Sequence, residues 1–285
     1  MSLPPQVAGH ARDFAEGRRT PVEPRDAATV VLMRPGPSGP ELYLLWRQAS
    51  MAFAGGMCVF PGGGVDPRDF DRSVGWSGPA PEDWADQLLT SPEMASALVC
   101  AAVRETFEES GVLLAGPSAS EVVADTTGDD WERDRRALEA KDLSFTAFLD
   151  ARGLVLRSDL LGAWSAWCTP EFEPRRFRTW FFVAALPPGQ LTRDVSSESS
   201  SVLWKPALDA CDAVDAGEIG MMPPTYVTCL EVGQHADPDA VLGAAVGRDL
   251  TMFTPDVEGG DDAATMSVPD RVVPLLEARL GGPRG

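Results

Sequence analysis

Between Ser91 and Gly111 the chain gives its clearest local instructions. Ser91 can cap a helix, Pro92 suits the first helical position, and Gly111 suits the residue that closes one. Leu98–Ser110 is helix-compatible throughout. Val99, Val103 and Phe107 recur at helical spacing and should face a core. The same spacing gathers three acids, because Glu105, Glu108 and Glu109 stand at i, i+3 and i+4 and share one face. Carboxylates so placed repel one another and oppose the helix dipole at its C-terminal end. The cluster is either a solvated acidic face or a seat for a divalent cation, since hard cations such as Mg²⁺ take oxygen ligands and keep positions free for phosphates.

Around this helix the patterning mixes strands and helices without regular alternation. Ala28–Met33 and Glu41–Arg47 read as a hairpin across Arg34–Pro40, and Met57–Phe60 as a short strand stopped by Pro61-Gly62-Gly63-Gly64. Residues 66–91 read as an inserted irregular loop, and Val112–Leu114 as a strand leading out of the helix. Helices are expected over Trp131–Lys141, Phe145–Ala151, Ala207–Ala216, Pro224–Leu230, Pro238–Ala245 and Val268–Leu280, and strands over Trp164–Cys168 and Thr179–Leu186. This mixture predicts an α+β fold. Residues 1–25 read as a loosely held N-terminal arm, 26–250 as the main domain, and 251–285 as an acidic linker with a terminal helix. Insertions are expected at about 70–91 and, as helices, at about 129–153.

Charge narrows the partners. With 43 acidic and 24 basic residues the net charge is -19, which argues against nucleic acid and against an anionic membrane surface. A phosphorylated substrate is acceptable to such a chain only if cations stand between the charges. The five cysteines are scattered with no C-x-x-C pair, which points to a reduced, intracellular chain without zinc. No signal peptide is visible, and the longest apolar stretches, such as Trp180–Leu186, are too short to span a bilayer. His10 and His235, the two histidines, both read as exposed loop residues. Proton chemistry is therefore expected to fall to carboxylates.

Phe60-Pro61-Gly62-Gly63 lies upstream of Arg104-Glu105-Thr106-Phe107-Glu108-Glu109-Ser110-Gly111-Val112. Together these resemble the Nudix hydrolases, whose signature is G-x5-E-x7-R-E-U-x-E-E-x-G-U with U aliphatic. Gly63, Arg104, Glu105, Glu108, Glu109, Gly111 and Val112 match it. Asp69 stands where the first glutamate belongs, Thr106 replaces an aliphatic residue, and 34 residues separate Asp69 from Arg104 where the signature has seven. The peroxisomal-type coenzyme A diphosphatase branch is similar even in that interruption. Gly56–Gly63 fits its G-x3-F-P-G-G portion, and Leu44, Leu45 and Arg47 fit its upstream part, although a second arginine has no counterpart in Ser50–Ala54. Further similarity lies in Trp167–Pro170, Arg175–Phe182, Gly217–Ile219 and Pro223–Thr225, so that the resemblance covers most of residues 27–245.

The resemblance implies an α/β/α sandwich of the Nudix type, with a mixed sheet, a metal-bearing helix and extra helices. It implies hydrolysis of a diphosphate with Mg²⁺ or Mn²⁺ held by Glu105, Glu108 and Glu109 beside Gly62, and with Arg104 orienting a glutamate. The substrate it suggests is coenzyme A or acyl-coenzyme A, split into (acyl-)phosphopantetheine and adenosine 3′,5′-bisphosphate. ADP-ribose, NADH or another nucleoside diphosphate derivative is the alternative, and a nucleotide-binding domain without activity the third reading. Glu198 is the candidate general base, or else part of an exposed polar loop. Arg47, Gly63, Arg176 and Arg178 are candidate substrate contacts, with ion pairs to Glu171 and Glu173 the alternative for the last two. Trp46, Phe53 and Trp180 either pack the core or stack on substrate. Members of the family often pair through hairpins and N-terminal arms, which makes residues 1–25 a candidate homodimer arm. Pro283-Arg284-Gly285 does not read as a peroxisomal address, so the expected compartment is the cytoplasm.

Overall fold

The computed structural model describes residues 5–48, 54–258 and 265–281. Helix α1 (Pro5–Ala15) is followed by strands β1 (Arg25–Gly36), β2 (Gly39–Arg47), β3 (Cys58–Val59), β4 (Gly62–Gly64) and β5 (Trp76–Ser77). Helices α2 (Pro81–Leu88) and α3 (Pro92–Ser110) come next, then β6 (Ala115–Gly116), α4 (Asp129–Glu139), α5 (Phe145–Arg152) and β7 (Val155–Arg157). The chain continues through β8 (Gly162–Cys168), β9 (Phe177–Ala185), β10 (Ser199–Pro206), α6 (Ala207–Asp215), α7 (Pro223–Val232) and α8 (Pro238–Ala245). The short strands β11 (Val257–Glu258) and β12 (Thr265–Met266) precede α9 (Val273–Gly281). Mixed sheets with several helices make the fold α+β, as the sequence predicts.

The described chain forms two compact units, one from residues within 27–165 and 180–251, the other from residues within 1–26, 166–179 and 252–285. The larger unit is organised by a sheet of order β10-β2-β1-β9-β8, with β3 added to β2 and β4 added to β1. Val30–Met33 of β1 and Leu42–Leu45 of β2 are buried without a break. Unbroken burial, rather than alternation, means that both faces of the sheet are covered. The β1–β2 hairpin closes with Gly36 opposite Gly39 and Met33 opposite Leu42. In the smaller unit, His10 on α1 is 3.2 Å from Glu173, and the Phe253 ring stands edge-on to Trp167 at 5.1 Å.

Helix α3 begins and ends where its caps require. The Ser91 hydroxyl accepts the Met94 N–H at 3.2 Å, and Gly111 closes the helix at φ 75°. Its residues from Ala95 to Arg104 are all buried, which is what an all-round apolar helix needs.

Three expectations are corrected. Residues 66–91 contain helix α2 rather than loop alone. Pro81 opens it, the Asp83 carboxylate accepts the Ala80 N–H at 2.9 Å, and Trp84, Ala85 and Leu88 bury one face. Trp84 meets Phe182 edge-on at 5.8 Å, and Leu88 accepts the Trp180 indole N–H at 3.1 Å. Val112–Leu114 is buried but not a strand, because a side chain takes its ladder bonds: Gln190 accepts from the Leu113 N–H and donates to the Leu113 carbonyl. Residues 1–25 include helix α1, so His10 is on a helix rather than in a loop.

Candidate functional site

The acidic face of α3 is built around one guanidinium. Arg104 is buried, and its side chain reaches Asp69, Glu105 and Glu108. Its Nε and Nη2 donate to the two oxygens of Asp69 at 2.9 and 2.8 Å, a bidentate pair that closes the 34-residue gap in the sequence. Its Nη1 donates to Glu105 at 2.7 Å and to Glu108 at 3.3 Å, and Nη2 also donates to the Gly64 carbonyl at 3.1 Å. Asp69 is set in place by a one-turn helix over Pro67–Phe70, in which the Asp69 carboxylate accepts the Asp66 N–H at 2.8 Å.

Strand β4 supplies the other wall. It pairs with β1 through Thr29↔Gly62, Ala28↔Gly63 and Ala27↔Gly64. The Gly62 N–H donates to Glu109 at 2.8 Å. A Cβ on Gly63 would lie 2.5–2.7 Å from all three carboxyl atoms of Glu105, so the backbone approaches that carboxylate as only glycine allows.

Four carboxylates and one arginine therefore share a largely dry pocket of charge. Asp69, Glu108 and Glu109 are 3%, 8% and 7% exposed. Burial, followed by the charge of Glu105, pushes Glu108 up to about 7. Burial also raises Glu105, and it raises Glu109 well above the usual carboxylate range. Among the described residues no trio of His, Cys, Asp or Glu is already spaced as a cation cage. The reason is visible in the hydrogen bonds: Arg104 Nη1 is shared by Glu105 and Glu108, while Glu109 is turned to Gly62. The donor set nevertheless fits a hard divalent cation, being all carboxylate oxygen with more negative charge than Arg104 alone can offset. Nudix hydrolases, the family resembled, generally work with such cations.

Strand register brings two further candidates to this cluster. β10 pairs with β2 with Ser199 opposite Arg47, which sets Glu198 beside Arg47. Arg47 Nη2 is 2.5 Å from Glu198, and the Gln48 N–H donates to the Glu198 carbonyl at 3.0 Å. The charge of Glu198 is felt by Glu105 and Glu109, and that of Arg47 by Glu109.

Arg176 and Arg178 belong to the smaller unit. There Arg176 donates to the Thr169 and Val22 carbonyls, and Arg178 pairs with Asp26 at 2.7 Å. Trp180 is buried and Trp46 half-buried, while Phe53 lies outside the described residues. Sequence reasoning missed Arg135, Glu132, Glu139 and Arg193, which surround the C-terminal end of α3. A signal was present, since Glu132, Arg135 and Glu139 are spaced for i,i+3 and i,i+4 pairs.

Comparison with known proteins places these features in a family context. The family model of the NUDT19 Nudix domain matches residues 80–231. Human acyl-coenzyme A diphosphatase NUDT19 is 30% identical over 258 residues, covering 76% of this chain and 67% of that protein. The chicken (Gallus gallus) protein of the same name is 27% identical, covering 71% and 66%. The matches thus span about two thirds of the length of these curated relatives. Among solved structures, a Nudix hydrolase from Alicyclobacillus acidocaldarius superposes with a TM-score of 0.68 at 26% identity, covering 78% of this chain and 96% of that one. No helix among the described residues is long and apolar enough to cross a membrane.

Proposed function

The chain belongs to the Nudix hydrolase family, in its NUDT19 branch, and is a diphosphatase of that family. From that premise we propose that it hydrolyses coenzyme A or acyl-coenzyme A to (acyl-)phosphopantetheine and adenosine 3′,5′-bisphosphate. The observation that carries the proposal is the gathering of Asp69, Glu105 and Glu108 on buried Arg104, with Glu109 held beside them by Gly62. The names of the human and chicken relatives support the choice of substrate.

Glu105, Glu108 and Glu109 would hold Mg²⁺ or Mn²⁺ with the Gly62 backbone alongside. The bound cation would neutralise diphosphate oxygens and acidify a water. Arg104 fixes the orientation of Glu105 and Glu108, and its bidentate pair with Asp69 keeps it from turning away. Glu198 takes the proton of the attacking water as general base. The water oxygen bonds to one phosphorus and the bridging P–O bond breaks, leaving its electrons on the departing phosphate. Arg47 holds Glu198 at the cluster and stands ready to contact a substrate phosphate with Gly63. Arg176 and Arg178 would serve a substrate only by exchanging their present partners for it.

A substrate panel assayed with Mg²⁺ and with Mn²⁺, then with chelator, tests this reading. Turnover of coenzyme A or its acyl esters that chelator abolishes is expected. Turnover of ADP-ribose or NADH alone would move the substrate while keeping the chemistry. Failure of every diphosphate at high enzyme would leave only a nucleotide-binding role.

A further inference from the structure

Helix α4 lies outside the family signature, yet it touches both parts of the proposed machinery. Arg135, whose side chain is 3% exposed, donates through Nη1 to the Glu108 carbonyl at 2.6 Å. That carbonyl lies in the last turn of α3, where helical oxygens lack partners within the helix. The same guanidinium donates to Glu139 at 3.1 Å and to Glu132 at 2.9 and 3.0 Å. Both acids then reach the segment that precedes β10. Glu139 accepts the Ser197 N–H at 2.9 Å, one residue before Glu198. Glu132 accepts from Arg193 at 2.9 Å, and the Arg193 N–H donates to the Ser110 carbonyl at the end of α3.

We propose that Arg135 and Glu139 are positioning residues, which hold the loop bearing Glu198 in register with the acidic face of α3. The inference rests on reading Glu198 as the general base. One guanidinium spans the two elements: it grips the backbone of a glutamate on the metal helix and, through one carboxylate, the backbone beside the base. A general base acts only within hydrogen-bond reach of the proton it takes, so slack in this link reaches the rate directly. The fold does not depend on the link. α4 and α5 pack on α3 through Trp131, Phe148 and Phe107, with Phe107 and Phe148 stacked at 5.2 Å and the Trp131 ring 6.3 Å from Phe107. Arg152 covers the Trp131 ring at 3.6 Å. Loss of the Glu139 carboxylate should free the loop and leave the helices in place.

The test is a double-mutant cycle on the full chain with coenzyme A and Mg²⁺, using Glu139→Ala, Glu198→Gln and both together. Glu139→Ala is expected to lower kcat about 10- to 100-fold, the scale of a small misplacement at a reacting centre. On the Glu198→Gln background the same change should cost almost nothing, because a base already removed cannot be misplaced. Glu139→Gln keeps an oxygen for the Ser197 N–H and should recover much of the rate. Without substrate or metal, amide exchange over residues 193–199 should quicken about tenfold in Glu139→Ala while α3 and α4 stay protected. A wild-type rate in Glu139→Ala, unchanged exchange over 193–199, or a loss repeated in full on the Glu198→Gln background would overturn the positioning role and leave Glu198 as base. A wild-type rate in Glu198→Gln would overturn the base assignment and this inference with it.

Discussion

Glu108 can be turned into an amide with almost no change of size, which separates its charge from its place in the packing. Glu108→Gln keeps an oxygen for Arg104 to donate to, yet removes charge from the proposed cation seat. The expected outcome is a folded protein with kcat/KM lower by at least about two orders of magnitude, read from steady-state rates beside a thermal melt. Near-normal activity would refute the metal assignment. Glu132 offers a test by pH. Hydrogen bonds from Arg135, aided by Arg193 and Arg136, hold its carboxyl down to about 2 from an ordinary 4.5. A carboxyl lowered by folding stabilises above its unfolded value, and that stabilisation fades as pH falls from about 4.5 through about 2. In denaturant titrations Glu132→Gln should therefore be clearly less stable than wild type at pH 6, and the gap should narrow by pH 3. The spacing of Glu105, Glu108 and Glu109 made their convergence legible in sequence. The reliance of Glu105 and Glu108 on Arg104 was legible only through the family signature. The role of Arg135 was not legible, because it depends on a carbonyl 27 residues away that α4 reaches only when packed.

Elements with chemical end-markers were read closely, and elements defined by tertiary partners were not. Ser91, Pro92 and Gly111 bound α3 at the residues the sequence suggested, and the helix expected over Phe145–Ala151 is α5, capped by Ser144 and closed at Gly153. Helix α2 escaped because Ala80 has no side chain to cap it and its apolar face is only Trp84, Ala85 and Leu88. The strand expected at Val112–Leu114 failed because Gln190, far along the chain, competes for its backbone. The end of α3 can be tested at Gly111. A Cβ there would stand 2.7 Å from two nitrogens of Arg193, at φ +75°, whereas one on Gly217, at φ +73°, would meet nothing within 4 Å. Gly217→Ala should cost about 1 kcal/mol, the backbone penalty alone. Gly111→Ala should cost at least about 1 kcal/mol more in the same denaturation experiment, because Arg193 must shift.

For the whole molecule the excess of acid becomes a dependence on cations. A chain of net charge -19 that buries Asp69, Glu108 and Glu109 beside half-buried Glu105 should repel a diphosphate until a divalent ion intervenes. Without metal, diphosphates should bind weakly by calorimetry, and Mg²⁺ should restore binding. Because the folded state alone assembles the acidic cluster, Mg²⁺ at about 100 times its Kd should also stabilise the fold by about 2.7 kcal/mol, seen as a higher Tm that chelator reverses. An unchanged Tm across a wide Mg²⁺ titration would count against the site.

The pair between Asp69 and Arg104 joins two ends of a long detour through β5 and α2. The entropy of closing a flexible loop grows only with the logarithm of its length. Lengthening the connection from seven residues to 34 therefore adds about 1.4 kcal/mol, roughly what one good hydrogen bond to a charged group returns. By that measure chain length between the halves of the site is nearly a free variable, while the geometry at its two ends is not. The signature can thus be stretched past recognition along the chain and still be whole in space.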